Sequence, residues 1–567
     1  MPGRSSVPPF VERIRWAVAA ATTAAAVLSG AAASPATAAR ITVLSGAQAR
    51  HAAQRTDRTL GSLAARHPAK RVDVIVQFND DVSPAQARAE IRAVGGRPGQ
   101  QLPLVRAVSA SMRADAARWL TVRKRVRAVT LNGHVQSTAN NFASTVSLKT
   151  TFNQSILADK MWPKATGRGI GVAVIDTGIA GGLPDFRTSR QDPTSRVIAN
   201  VVTNPGATTA GDSFGHGTHV AGLIAGNGAA RPNGDSLFSK YSGSAPEANL
   251  IAIKASDEAG NSTVLDVLRG VEFILAHKSD LGIRVVNMSL QSSTPISYQY
   301  DPLDTAVELL WLQGVTVVAA AGNLGNAPDA AQYAPGNDPL VISVGAIDEN
   351  GTSKVTDDTV APWSGRGITQ DGLAKPDLYA PGAHIVSLLS PNSAFASLCP
   401  ACVSDGAYIR AGGTSMAAPL IAGAVADLLQ LHPDWTPNMV KGALLSTLQT
   451  TRDGVGEANV SAASSATGSK LAGNATVTPN RWASWLSSII TRYGLDAIYP
   501  SDDDSTATDP TRSSWSRSSW SSATGDLAAG FARSSWSCAD CNDTPDDSVD
   551  PTRSSWSRSS WSSVLDG

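Results

Sequence analysis

Apolar and polar positions divide the chain into stretches with different grammars. Val72-Asp73-Val74-Ile75-Val76-Gln77-Phe78 predicts a strand, and Pro84 to Val94 predicts a helix with proline in its first turn. Leu104 to Met112 predicts a second strand, Ala114 to Leu120 a short helix, and Val126 to Leu131 a third strand. The order is an incomplete β-α-β-β-α-β split, which implies a small α+β unit with its core in 72–131.

From Gly169 to about Ser465 the pattern changes. Apolar, β-branched runs recur at Gly171 to Ile175, Leu250 to Ile253, Val285 to Asn287, Val315 to Val318 and Leu340 to Val344. Amphipathic segments alternate with them, such as Val264 to His277 and Ala306 to Gln313. Strands that read as continuous apolar runs, interleaved with helices, imply an α/β domain with a parallel sheet covered on both faces. About 300 residues are enough for one large core.

The two ends follow neither pattern. Arg4, Arg13 and Arg15 precede an Ala-rich apolar stretch from Trp16 to about Leu28, and Ala36-Thr37-Ala38-Ala39 closes it before Arg40. That order reads as a secretory signal peptide over 1–39. Thr22, Thr23, Ser29 and Gly30 make the stretch weak for a membrane-spanning helix. After Asp502 the chain becomes Ser-rich: the fourteen residues at 509–522 recur unchanged at 550–563, and Arg-Ser-Ser-Trp-Ser stands again at 533–537. Such a low-complexity tail buries too little apolar surface to fold alone. The implied organisation is a signal peptide 1–39, an accessory segment 40–140, a main domain 141–465, and a linker with the repeat tail over 466–567.

Composition adds one exclusion. With Lys+Arg 47 against Asp+Glu 47 in 567 residues, net charge gives no reason to expect nucleic acid as a partner.

Three local signals sit where an α/β sheet places its chemistry, at strand ends and helix starts. Ile175-Asp176-Thr177-Gly178 ends an apolar strand with a carboxylate that needs a donor or cation as partner. Gly215-His216-Gly217-Thr218-His219 opens a helix of small residues. Gly412-Gly413-Thr414-Ser415-Met416-Ala417-Ala418-Pro419 sets a hydroxyl at the start of a long apolar helix. Each signal alone is weak. Asp-Thr-Gly also occurs in aspartic proteases, His-x-x-His is half a zinc site, and Gly-Thr-Ser is an ordinary helix cap. The zinc-protease pattern, however, needs Glu where Gly217 stands, and no second Asp-Thr/Ser-Gly is present. Taken together, in the order Asp, His, Ser, they match a known chain order of a hydrolytic triad.

Here the chain resembles the subtilisin family of serine proteases, over roughly residues 145–465. Val317-Val318-Ala319-Ala320-Ala321-Gly322-Asn323, Gly243 to Leu250 and Lys375 to Gly382 resemble further segments of that family. The resemblance implies a subtilisin-like parallel sheet and a secreted endopeptidase acting on proteins or peptides. It implies Ser415 as nucleophile, His216 as general base, Asp176 as its orienting carboxylate and Asn323 as oxyanion donor. Ser289, Leu290, Ala321 and Gly322 would line the substrate cleft, and His219 would be a packing residue. By the same resemblance the 72–131 unit is a ferredoxin-like propeptide that inhibits the enzyme until self-cleavage within Asn132 to Thr150. No cofactor is required, although the family often carries structural calcium, and Asp185 aligns with a position used as a ligand.

Two departures qualify the match. Gln291-Ser292 stands where much of the family has two glycines beside the cleft, and 227–243 is a polar insertion after the histidine helix. Cys399-Pro400-Ala401-Cys402 and Cys538-Ala539-Asp540-Cys541 are too far apart for a zinc ribbon. In an exported chain they read as disulfides, most simply one within each pair. The repeated Trp of the tail suggests a partner surface, such as the cell envelope. The rival reading is therefore a subtilisin-scaffold binding protein whose tail does the work.

Overall fold

A computed structural model describes residues 48, 52–137, 139–141, 150–189, 191–228, 241–404 and 406–498. The expected signal peptide, most of the expected cleavage stretch, Cys538, Cys541 and the repeat tail lie outside the described residues. Within them two compact units separate. One comprises 52–132, 294–313 and 478–498; the other comprises 133–293 and 314–477.

The first unit is built on a four-stranded antiparallel sheet in the order Arg97–Leu102, Ala107–Arg113, Arg71–Phe78, Val126–Leu131. With helices Pro84–Ala93 and Ala114–Leu120 as its crossovers, this is the complete β-α-β-β-α-β split. Val74, Val76, Ile91, Met112, Leu120 and Val129 form its core. Ser83 and Gln86 close a reciprocal capping box at the start of the first helix. The single strand expected from Leu104 to Met112 is shorter. A 3-10 turn at Pro103–Val105 and a left-handed Arg106 delay its start to Ala107. Strand Arg97–Leu102 escaped the sequence reading because Arg-Pro-Gly-Gln-Gln-Leu shows no apolar alternation.

Two helices distant in sequence complete that unit. Pro302–Leu312 was expected to be amphipathic from Ala306, yet every residue from Pro302 to Trp311 is buried, Asp304, Thr305 and Glu308 included. Arg481–Tyr493 lies in a stretch read as linker, and it buries Ala483, Leu486, Ser487 and Ile489 on one face.

The second unit holds a ten-stranded sheet. Its parallel core runs Gly456–Glu457, Leu378–Pro381, Ile342–Asp348, Thr316–Ala320, Ile283–Met288, Gly171–Asp176, Asn249–Lys254, Val197–Val202. Antiparallel additions are Gln449–Thr450 at the edge and Thr359–Val360. After Gly171–Asp176 the chain first builds outward on one side, then crosses to the other. The order thus reverses around that strand, and side chains at its carboxyl end face a natural crevice.

Helix Thr414–Leu431 packs against the middle of this sheet. It is long and apolar enough to cross a membrane, but 89% of it is buried inside the fold. An all-round apolar helix is what a fully covered core position requires.

Candidate active site

Three sheet strands and two helix starts deliver the candidate residues to one end of the sheet. Asp176 is the last residue of its strand, Ser289 follows strand Ile283–Met288, and Asn323 follows strand Thr316–Ala320. His216 and Ser415 occupy the first turns of helices His216–Ala225 and Thr414–Leu431.

His216 is fully buried, and its Nδ1 lies 2.7 Å from Asp176 Oδ1. The same oxygen accepts the Thr177 amide at 2.7 Å. Asp176 therefore fixes which imidazole nitrogen carries the proton, leaving Nε2 as the acceptor. Nε2 is buried and makes no hydrogen bond. Ser415 Oγ donates instead to the Ser289 carbonyl at 3.0 Å. Two of the three expected triad members are thus joined directly. The third is placed at a helix N-terminus with its hydroxyl turned to a neighbouring carbonyl. Such links commonly tighten only when substrate is bound.

Asn323 is oriented by Thr414. Its Oδ1 accepts both the Thr414 amide and the Thr414 hydroxyl, each at 3.0 Å. With the acceptor end so committed, the Nδ2 end of the amide is the one that can donate to an oxyanion. Gly413, the residue before the helix, has φ 155 and ψ 159, a conformation open essentially to glycine alone.

A second buried carboxylate holds the histidine helix, and sequence reading missed it. Asp212 accepts Thr177 Oγ1 at 2.8 Å and the Gly215 amide at 2.7 Å through Oδ1. Its Oδ2 accepts the Thr218 amide at 2.7 Å and the Thr218 hydroxyl at 2.6 Å. Thr177 Oγ1 in turn accepts the Gly217 amide at 2.9 Å. Asp212 so ties the turn after Asp176 to the first turn that carries His216. Burial pushes its carboxyl pKa up against the pull of these donors. The available signal was an acidic residue four positions before His216.

Phe395 was also missed. Its ring meets His216 edge-on, and it packs on Phe214 and His219 as well. Backbone bonds pin its segment to the loop before the histidine, Ala394 N to Ser213 O at 3.0 Å and Phe395 N to Phe214 O at 2.9 Å. A side chain at Gly215 (φ 107) would meet Ser393 Oγ at 2.7 Å, so glycine is needed for this approach. Immediately beyond, Cys399 and Cys402 form the disulfide expected within the first pair.

His219 is fully buried, with Nε2 3.1 Å from the Ile409 carbonyl. Burial, aided by His216, pushes its pKa down to about 3, so the ring is neutral.

One of the residues expected to line the cleft, Leu290, pairs with an extended segment of the chain itself. Strand His134–Ser137 pairs antiparallel with Leu290–Ser292 on one side, Leu290 opposite Ser137 and Ser292 opposite Val135. On its other side it pairs antiparallel with Ser262–Thr263. His134–Ser137 is thus the middle strand of a three-stranded sheet. Ala321 and Gly322 stand next to Asn323, and the Gln291 side chain lies over Gly322, within 3.0 Å of where a Cβ would stand.

Asp185, the position expected to serve calcium, is buried beside the histidine helix. Its carboxylate accepts the Tyr408 hydroxyl at 3.0 Å, and its backbone carbonyl accepts Arg196 Nη2 at 2.9 Å. Among the described residues no three His, Cys, Asp or Glu side chains group together as a metal site.

Comparison with known proteins identifies the family and the fold. The profile of the Subtilase family matches residues 167–473. Serine protease AprX of Bacillus subtilis is 42% identical over 286 residues, which cover 49% of this chain and 61% of AprX. The chain therefore spans less than two thirds of that relative. Subtilisin E of Bacillus subtilis is 31% identical over 65% of this chain and 81% of its own length. In fold, the chain is similar to fervidolysin of Fervidobacterium pennivorans, a keratinolytic enzyme related to subtilisin, with TM-score 0.52 and 24% identity, over 71% of this chain and 62% of that one.

Proposed function

The chain belongs to the subtilase family of serine proteases, and from that premise we propose that it is a secreted endopeptidase made as a self-processed precursor. The observation that carries the reading is the buried His216–Asp176 pair, with an unpartnered Nε2 and a serine at a helix N-terminus.

In this mechanism Ser415 attacks the scissile carbonyl while His216 Nε2 takes its proton. The proton then passes to the leaving amine, an acyl-enzyme remains, and water attacks it by the same route in reverse. Asp176 holds the tautomer and stabilises the transient imidazolium. Asn323 Nδ2 and the Ser415 backbone amide face the developing oxyanion, where the helix N-terminus adds positive potential. No metal or organic cofactor enters a step.

The unit around 72–131 is the propeptide in this reading. Its support is the strand His134–Ser137, which occupies the peptide position between Leu290–Ser292 and Ser262–Thr263. A chain held there competes with substrate until it is cut downstream and leaves. Export rests on the leader at 1–39. Ser415→Ala provides the test: it should abolish casein hydrolysis and accumulate the uncut chain. A cut, active Ser415→Ala protein would overturn the assignment.

A further inference from the structure

Helix Arg481–Tyr493 lies beyond the residues that match the family, yet it is built into the first unit. Two arginines of the antiparallel sheet region stack on its two tryptophans. The Arg106 guanidinium stands 4.7 Å from the Trp485 ring centre, and the Arg127 guanidinium stands 4.4 Å from that of Trp482. The tryptophans are three positions apart, so both rings lie on one helix face.

Arg127 is 4% exposed, and burial holds its pKa well below the usual guanidinium range. It donates to the Gln299 carbonyl at 3.3 Å and to Thr305 Oγ1 at 3.4 Å. Asn480, at the helix start, converges on the same place. Its Nδ2 donates to Thr305 Oγ1 at 3.3 Å and to the Tyr298 carbonyl at 2.9 Å, and its backbone amide donates to Glu308 Oε2 at 2.5 Å. These contacts help to bury Pro302 to Trp311 of the helix Pro302–Leu312. An apolar pocket nearby is lined jointly by Phe78, Leu102 and Val108 from the sheet and by Leu486, Ile489 and Ile498 from the C-terminal segment.

We infer that Thr478–Ile498 is a clasp for the N-terminal α+β unit, holding it in place after the chain is cut between them. The inference rests on reading that unit as a propeptide. The clasp remains covalently attached to the enzyme after the cut, so it sets how long the inhibitor stays bound. Its recognition chemistry is specific: two cation–aromatic stacks, one of them made by a buried arginine, next to an apolar pocket.

The test separates the clasp from self-processing. A Ser415→Ala chain with a foreign protease site inserted between Ser144 and Thr145 is cut in vitro, and dissociation of the N-terminal fragment is followed by gel filtration and dilution kinetics. Adding Trp482→Ala and Trp485→Ala should speed release at least tenfold, and Arg106→Ala should add little once Trp485 is gone. In the active chain the same pair should shorten the lag before peptide hydrolysis, while the final kcat/KM equals that of wild type, which also reports intact folding. Unchanged release and an unchanged lag would overturn the clasp. Clasp-dependent release in the inert chain, with no self-cleavage in the active one, would instead defeat the propeptide reading alone.

Discussion

Phe395 presents its ring edge-on to His216, with centroids 5.8 Å apart and planes at 79°. The imidazole is thereby held on one side by Asp176 and on another by an aromatic edge whose segment is anchored to the preceding loop. Removing the ring leaves room for the imidazole to turn out of its pairing with Asp176. Phe395→Ala is expected to lower kcat about tenfold or more, because small misplacements of a catalytic group are costly. Its KM should change less, and Phe395→Leu should recover part of the loss. Steady-state kinetics on a peptide anilide check this. An unchanged kcat in Phe395→Ala would show that Asp176 orients the ring unaided.

Asn323→Ala should reduce kcat by about a hundredfold to a thousandfold with little change in KM, a magnitude carried over from subtilisin itself. His216→Ala should abolish turnover, whereas His219→Ala should leave it measurable and mainly reduce thermal stability. The contrast matters because His219 is buried and neutral, 3.1 Å from a backbone carbonyl. Turnover retained by His216→Ala and lost by His219→Ala would reverse the assignment.

Asp212→Ala should destabilise the fold by about 3 kcal/mol or more, since it strands several buried donors at once. It should also lower kcat, because the turn after Asp176 and the first turn of the histidine helix lose their shared anchor. Asp212→Asn keeps two acceptor positions and should be milder on both measures. Denaturant melts of the inert Ser415→Ala chain, together with kinetics in the active one, separate the two effects.

Glu349, Asp358 and Glu457 share a buried site beside Thr151 and Ser155. Thr151 Oγ1 donates to Glu349 at 2.6 Å, and Ser155 Oγ bonds both Glu457 and Asp358. Burial, with added repulsion between the acids, pushes Glu349 up to about 8 and Glu457 up to about 9, each from 4.5. The folded state thus keeps protons that the unfolded chain has already released. Stability contributed by this site is present below the unfolded value and is lost as pH rises toward the folded one. The melting temperature of the Ser415→Ala chain should fall between about pH 5 and pH 9. Glu457→Gln should flatten that decline, and an equally steep profile in that variant would exclude the site as its origin.

Much of the fold was legible along the chain because burial writes itself into periodicity. The strands at Gly171–Asp176 and Ile283–Met288 and the helix Val264–His277 are apolar where they must be covered. The candidate residues Asp176, His216 and Ser415 were legible because each stands in a short motif that ends a strand or opens a helix. Strand Arg97–Leu102 was not legible, since its pairing with Ala107–Arg113 comes from neighbours rather than from its own alternation.

By itself, then, the sequence determined the layered α/β domain, the small α+β unit and the candidate residues Asp176, His216, Asn323 and Ser415. Only the tertiary structure decided what surrounds them. Asp212 reaches Thr177 across 35 positions, Phe395 reaches His216 across 179, and Arg127 reaches Trp482 across 355. Tertiary packing likewise brought the Tyr408 hydroxyl to the Asp185 carboxylate, across 223 positions. Contacts at such separations leave no local period or motif in a single chain. Their partners are selected by the closing of the core, which brings together residues that no window of sequence contains.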